Sequence, residues 1–443
     1  MKKTLIVLAS ALLLASSAFA QDAKPTFKWY GFIRNYYAFD NRESVSGTED
    51  FFYYVPKDVA MNGDVDANAV NTFRFAALTS RLGVDVTGYE FKDWKIGAKI
   101  EGDFYSGVSG VTGTATFRLR QAFLTMAKDN YTLKAGQAWH PMAADMPDVF
   151  SLNTGSPFGP FSRTPLIQAE RKLSDNWTLT DAIIWQMQYV SAGPDGASAN
   201  YMKYGMIPEI YLGLNRKFNG GLARLGVDVL SISPSHGIVD GAMHKNRITT
   251  YSPFLYLQYA NGPFSVKFKT IYAQAGEHMN LNGGYGVAMK HENGSISYTP
   301  TVNSSSWVSL QYKKDDMQYI LFGGFVKNLG TLRPLESDGD YYKDARGAFS
   351  EDVNTHSSLL YFSKNSFSNM NAMWRLTPTV IKNIGKVAIG LELELTSIQY
   401  GDYYKYKWEG TTYSCVNAKN GLATENLHWV TNTRVQGMLK YTF

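Results

Sequence analysis

The chain has a single cysteine, Cys415, so no disulfide can form within it. Beyond the apolar run Leu5 to Leu14, every apolar stretch is broken by charge, Gly or Asn. None reaches the roughly 18 to 20 residues that a spanning helix needs, which excludes a helical membrane protein. Charge of one sign is missing too: 43 Lys and Arg face 38 Asp and Glu, an excess too small to argue for nucleic acid. No Pro- or Ser-rich linker divides the chain, so its length reads as one body rather than two or three soluble domains. The seven histidines have no HExxH spacing and no Gly-x-Ser-x-Gly elbow occurs, so no metal, cofactor or catalytic residue is expected. Ser235-His236 and the neighbourhood of His140 and Asp145 read as ordinary loop chemistry, which leaves a hydrolase as an alternative.

At the N-terminus, Lys2 and Lys3 precede the short apolar core and Ala18-Phe19-Ala20 follows it. This is the pattern of a secretory signal peptide over residues 1–20, leaving residues 21–443 as the mature chain. That chain is rich in aromatics, with 29 Tyr and 25 Phe. From Phe27 onward it repeats one unit, about ten residues of alternating apolar and polar character followed by a connection. In Val387 to Leu395, for example, Val387, Ile389, Leu391, Leu393 and Leu395 alternate with Ala388, Gly390, Glu392 and Glu394. Successive side chains of a strand point to opposite faces, so each such strand has one oily and one polar face. Either a soluble sheet on a core or a barrel wall between lipid and water fits this alternation. The chain's last residues favour the barrel. Val435, Leu439, Tyr441 and Phe443 share one face of a strand that ends on an aromatic, as in the C-terminal assembly signal of outer-membrane barrels.

Connections alternate in length. Short polar turns fall near 89–93, 128–130, 174–176, 219–221, 261–262, 313–316 and 383–385. Long segments fall at 41–69, 106–114, 140–163, 190–203, 234–246, 276–304, 328–356 and 401–427. Short periplasmic turns and long external loops of this kind predict an all-β transmembrane antiparallel barrel of sixteen strands. If Val287 to Met289 and Ser295 to Tyr298 are wall strands rather than a hairpin within a loop, the number is eighteen. Glu336 to Asp340 and Tyr403 to Trp408 read as external.

A sixteen-stranded barrel encloses an aqueous channel unless something narrows it. Segment 140–163, with its Pro, Gly and Phe, suits a stiff loop folded into the lumen, unlike the flexible polar composition of 41–69. Its candidate constriction residues are Asp145, Asp148, Phe150, Asn153, Phe158, Phe161 and Arg163. Parity turns Arg34, Arg81, Lys95, Lys99, Arg118, Arg120, Arg224, Lys267, Lys269, Arg434 and Lys440 inward, with the acids Asp85, Glu101, Asp103, Asp228, Glu392 and Glu394. The lumen wall therefore leans positive, which predicts a mild preference for anions; equally, basic and acidic rows on adjacent strands can pair along the wall. Arg74 has the opposite parity from Arg81, so only a bulge turns both inward.

Ser80-Arg81-Leu82-Gly83, Ile100-Glu101-Gly102-Asp103-Phe104-Tyr105, Phe117-Arg118-Leu119-Arg120-Gln121-Ala122-Phe123 and Ala135-Gly136-Gln137-Ala138-Trp139 occur in an order that resembles the DcaP-like porins. The match covers roughly residues 80–170. The resemblance implies a trimeric sixteen-stranded outer-membrane channel with an arginine-bearing constriction that favours small anions such as dicarboxylates. The helical N-terminal extension of some members is not expected here. The expected partners are outer-membrane lipid and lipopolysaccharide, the barrel assembly machinery, small hydrophilic solutes and two further copies in a homotrimer. A channel for hydrophobic solutes, using the aromatics of 140–163, is the alternative, as is a sugar channel, although parity places few aromatics inward.

Overall fold

The computed structural model describes residues 25–107, 114–336, 360–362, 369–402 and 421–443, and the backbone of 404–409 and 412–417. The expected signal peptide, the acidic stretch past Glu336 and the side chains of 403–408 lie outside the described residues.

The alternating segments form the wall strands β1 (Thr26–Asp40), β2 (Arg81–Phe91), β3 (Trp94–Phe104), β4 (Phe117–Lys128), β5 (Tyr131–Trp139), β6 (Arg163–Lys172), β7 (Trp177–Ile184) and β8 (Glu209–Phe218). They continue as β9 (Gly221–Val239), β10 (Ala242–Asn261), β11 (Phe264–Gln274), β12 (Ile296–Lys314), β13 (Met317–Thr331), β14 (Met370–Ile384), β15 (Val387–Asp402) and β16 (Glu425–Thr442). Each pairs antiparallel with its neighbours, and β16 returns to β1 with Phe32 opposite Thr442 and Asp40 opposite Arg434. Closure leaves no free edge, so the wall satisfies its own backbone groups, as hydrocarbon requires. The tight turns fall where polar residues interrupt the alternation. At Asn219-Gly220, for instance, Gly220 takes φ +74° and lets β8 turn straight into β9.

The segment 284–302 resolves to sixteen strands. β11 pairs directly with β12, from Phe264 opposite Tyr312 to Gln274 opposite Val302. Gly284–Lys290 instead pairs with the outer end of β12 and with Leu360–Phe362, so the hairpin is part of a loop.

Leu225, Tyr251, Leu321, Phe325, Ile389, Leu391, Val435 and Leu439 lie exposed on the outward face. An apolar belt of this extent is at home in lipid. The described residues contain no helix long and apolar enough to cross a membrane; the crossing is made by strands.

The inner face departs from the sequence reading in two ways. First, Tyr36, Tyr211, Tyr256, Trp307, Phe322 and Tyr400 are buried inside the wall, so more aromatics point inward than parity suggested. They pack beneath inward-folded loops, which need an apolar floor, and β13 is consequently apolar on both faces from Ile320 to Val326. Second, segment 41–69 is not a loose polar loop. Its hairpin, Ser44–Gly47 with Phe52–Pro56, buries Phe51 to Val55 against the barrel interior. The polar composition of the whole segment masked this short aromatic run.

Strand β2 is preceded by Thr72–Ala76, which also pairs with β1. The irregular link between them shifts parity: Phe73 and Phe75 face out around Arg74, while Leu82 faces out beside Arg81. Both arginines therefore turn inward.

Candidate functional site

Segment 140–163 begins with the short 3-10 turn Pro141–Ala143 and crosses the lumen. Two wall glycines receive its aromatic side chains. Phe158 lies on Gly324 of β13 and Phe150 on Gly390 of β15, each where any Cβ would collide with the ring. Phe161 packs edge-on to Trp139 and to Phe52 of the first loop.

Polar ties complete the seating. Lys267 Nζ reaches Asp148 Oδ1 at 2.6 Å, and Arg224 reaches Asp145 Oδ2 at 3.1 Å. Lys269 donates to the Met142 carbonyl. The Phe150 amide donates to Glu392 Oε2 at 3.1 Å, and Asn153 Nδ2 donates to Glu394 Oε1 at 3.3 Å. Arg375, which the sequence reading did not single out, donates to the carbonyls of Ser156 and Tyr54 and so joins both loops. Its inward parity, opposite to Leu376, was the available signal. Arg434 is held bidentately by Asp40 and donates to the carbonyls of Phe51 and Asp50.

Loop and wall leave a cavity of about 430 Å³ bounded by Val149 to Leu152 on one side and by Arg34, Arg81, Arg118, Arg120 and Lys440 on the other. The cations of this arc fall into two groups. Arg118 binds Asp103 bidentately at 2.9 and 3.2 Å, and Arg120 bridges Glu101 and Asp103, 2.7 Å from each. Arg34 and Arg81, in contrast, converge on the Phe32 ring, 4.8 and 4.9 Å from its centre, and Lys440 lies 5.9 Å away. Arg34 donates to Thr79 Oγ1 at 2.8 Å, and Arg81 is 3.8 Å from Glu101. The Nε atoms of Arg34 and Arg81 are buried without a hydrogen-bond partner among the described residues. Tyr189 also lines the cavity. Burial pushes its hydroxyl up to about 12, so it stays neutral.

Other expected lumen residues do not line this cavity. Lys99 pairs with Asp85 at 2.6 Å and Tyr30 at 3.0 Å, away from the cavity lining. Lys95 is exposed opposite Glu90 near the turn into β3. Arg163 is the first residue of β6 rather than part of the loop, buried with its Nε 3.0 Å from Gln188 Oε1. Tyr441 and Phe443 share the outward face, and the Phe443 amide donates to the Gly31 carbonyl of β1. A second polar centre, His140, Glu209, Asp228 and His278, is buried between β8, β9 and the segment after β11. Its members are too far apart in sequence for any spacing rule to join them.

No family model and no curated relative matches the chain. Solved structures do. The outer membrane channel DcaP of Acinetobacter baumannii superposes with a TM-score of 0.63 at 18% identity, over 96% of this chain and 99% of that one. The fold is that of an outer-membrane porin. An anion-selective porin from Comamonas acidovorans matches with a TM-score of 0.53 at 12% identity, over 95% of this chain and all of the other (100%). At these identities the porin likeness is one of architecture, and the role of each side chain has to be argued from this barrel's own geometry.

Proposed function

We propose that this porin-fold protein is a passive channel of the bacterial outer membrane for small hydrophilic solutes, with a mild preference for anions. The observation that carries the reading is the uneven pairing of the basic arc. Glu101 and Asp103 are engaged by Arg118 and Arg120, which leaves Arg34, Arg81 and Lys440 around Phe32 without a hydrogen-bonded carboxylate among the described residues. Fixed cations in a narrow, low-dielectric passage raise the local concentration of anions. The name of the anion-selective Comamonas porin, on the same architecture, agrees with this.

Segment 140–163 acts in this reading as the constriction, and Lys267 and Lys269 hold it in place rather than meet solute. Phe158 is seated on the wall at Gly324, whereas Phe150 and Phe161 also line the cavity, so a channel for hydrophobic solutes stands as the second reading. Lipid and lipopolysaccharide outside, the assembly machinery acting on the strand that ends in Tyr441 and Phe443, and a homotrimer as the resemblance to DcaP-like porins implies complete the proposal.

The test is reversal potential across a KCl gradient in a planar bilayer, for the wild type and for Arg34→Ala with Arg81→Ala. An anion-directed potential that the double substitution lowers supports the reading. A potential indifferent to both arginines discards the basic arc, and a barrel with no step conductance discards the channel.

A further inference from the structure

The polar centre behind the constriction has features that solute passage does not call for. His140, Glu209 and Asp228 are each 1% exposed and His278 is 2% exposed. His278 Nε2 lies 3.4 Å from Glu209 Oε1 and 3.6 Å from Asp228 Oδ2. Donor atoms at the corners of a tetrahedron around a zinc-like ion, with bonds of about 2.0–2.2 Å, stand about 3.3–3.6 Å apart.

The two imidazoles are not equivalent. His278 Nδ1 is 3.1 Å from the Ala275 carbonyl, which can only accept, so in the neutral ring Nδ1 carries the hydrogen and Nε2 turns its lone pair into the centre. There Nε2 has no hydrogen-bond partner among the described residues, and neither does Asp228 Oδ1. A backbone carbonyl on the far nitrogen is the usual support of a metal-ligating histidine. His140 has the opposite arrangement. Its Nδ1 accepts from the Met142 amide at 3.1 Å, so in the neutral ring Nε2 holds the hydrogen and gives it to Glu209 Oε1 at 2.6 Å.

We propose that His278, Asp228 and Glu209 bind a divalent transition-metal ion of the Zn2+ class, with His140 as the residue that positions Glu209. Two carboxylates and one imidazole suit such an ion, which leaves a fourth position for water. A buried carboxylate pair needs compensating positive charge. The ion would staple β8 and β9 to the segment after β11 and, through His140, to the root of the constriction loop.

The experiment uses the full barrel extracted in detergent, stripped with a chelator and titrated with Zn2+, Co2+ or Ca2+. Zn2+ is expected to bind with one-to-one stoichiometry and raise the thermal unfolding midpoint, with Ca2+ inert. Co2+ is expected to give the intense visible band of a four-coordinate N/O site. His278→Ala should abolish the band, and His140→Ala should weaken binding by about 10–100-fold, the size of a lost supporting contact. A wild type that binds no metal overturns the proposal, as does binding that His278→Ala leaves unchanged. Should His278→Ala fail to fold, X-ray absorption of the Zn2+-loaded wild type decides: one imidazole with oxygen neighbours supports the site, and a shell without imidazole overturns it.

Discussion

Arg120 donates to Glu101 across neighbouring wall strands, Nε to Oε1 at 2.7 Å, and both side chains are buried. The charge that looked most available to an anion in the Phe117-Arg118-Leu119-Arg120 run is thus neutralised within the wall. Arg120→Ala strips Glu101 of its hydrogen-bonded guanidinium and leaves Asp103 to Arg118 alone, so it is expected to cost about 3–5 kcal/mol of stability. A lowered unfolding temperature of the folded barrel checks it.

Arg34→Ala has the opposite profile. Its guanidinium has no carboxylate partner among the described residues, so removing a buried, uncompensated cation is expected to leave the unfolding temperature unchanged or higher. The same substitution is expected to lower the anion preference more than Arg118→Ala, because Arg118 already answers Asp103. Parallel melting curves and reversal potentials on the two single variants separate the effects.

The sockets for segment 140–163 give a third prediction. Gly324→Leu places a side chain where the Phe158 ring lies, and overpacking of that kind costs about 1–3 kcal/mol. The loop should shift rather than the wall, so the expected outcome is a changed single-channel conductance with an intact barrel by circular dichroism. An unchanged conductance means that the loop does not set the aperture.

Asp40 and Arg434 give a fourth. Their bidentate pair lies inside the β1–β16 seam, and Arg434 also holds the carbonyls of Asp50 and Phe51. Arg434→Ala is expected to cost about 3–5 kcal/mol by stranding Asp40. It should also expose Tyr53 and its neighbours to limited proteolysis, read by the appearance of a cut near residue 50.

Wall residues were legible because period-two alternation is enforced wherever lipid lies outside and water within. Val387 to Leu395 could hardly be placed otherwise, and the inward turn of Arg118 and Arg120 followed from parity alone. What parity cannot supply is the identity of a partner. Nothing near Lys267 in sequence announces Asp148, and Gly324 carries no mark of the ring that rests on it. Phe51 to Val55 were hidden because a loop's apolar content tells of burial only once the surface that covers it is known. The His278 centre draws on four separate segments, so only the closed barrel brings it together.

The two sides of the passage differ in kind. Arg34, Arg81 and Lys440 hold one side, and the backbone of Val149 to Leu152, next to an Asp148 already paired with Lys267, holds the other. In the proposed channel the electric field therefore runs across the direction of travel rather than along it. A solute with its charge at one end is then expected to turn side-on before it clears the gap, so that two molecules of equal size and equal net charge are sorted by where that charge sits.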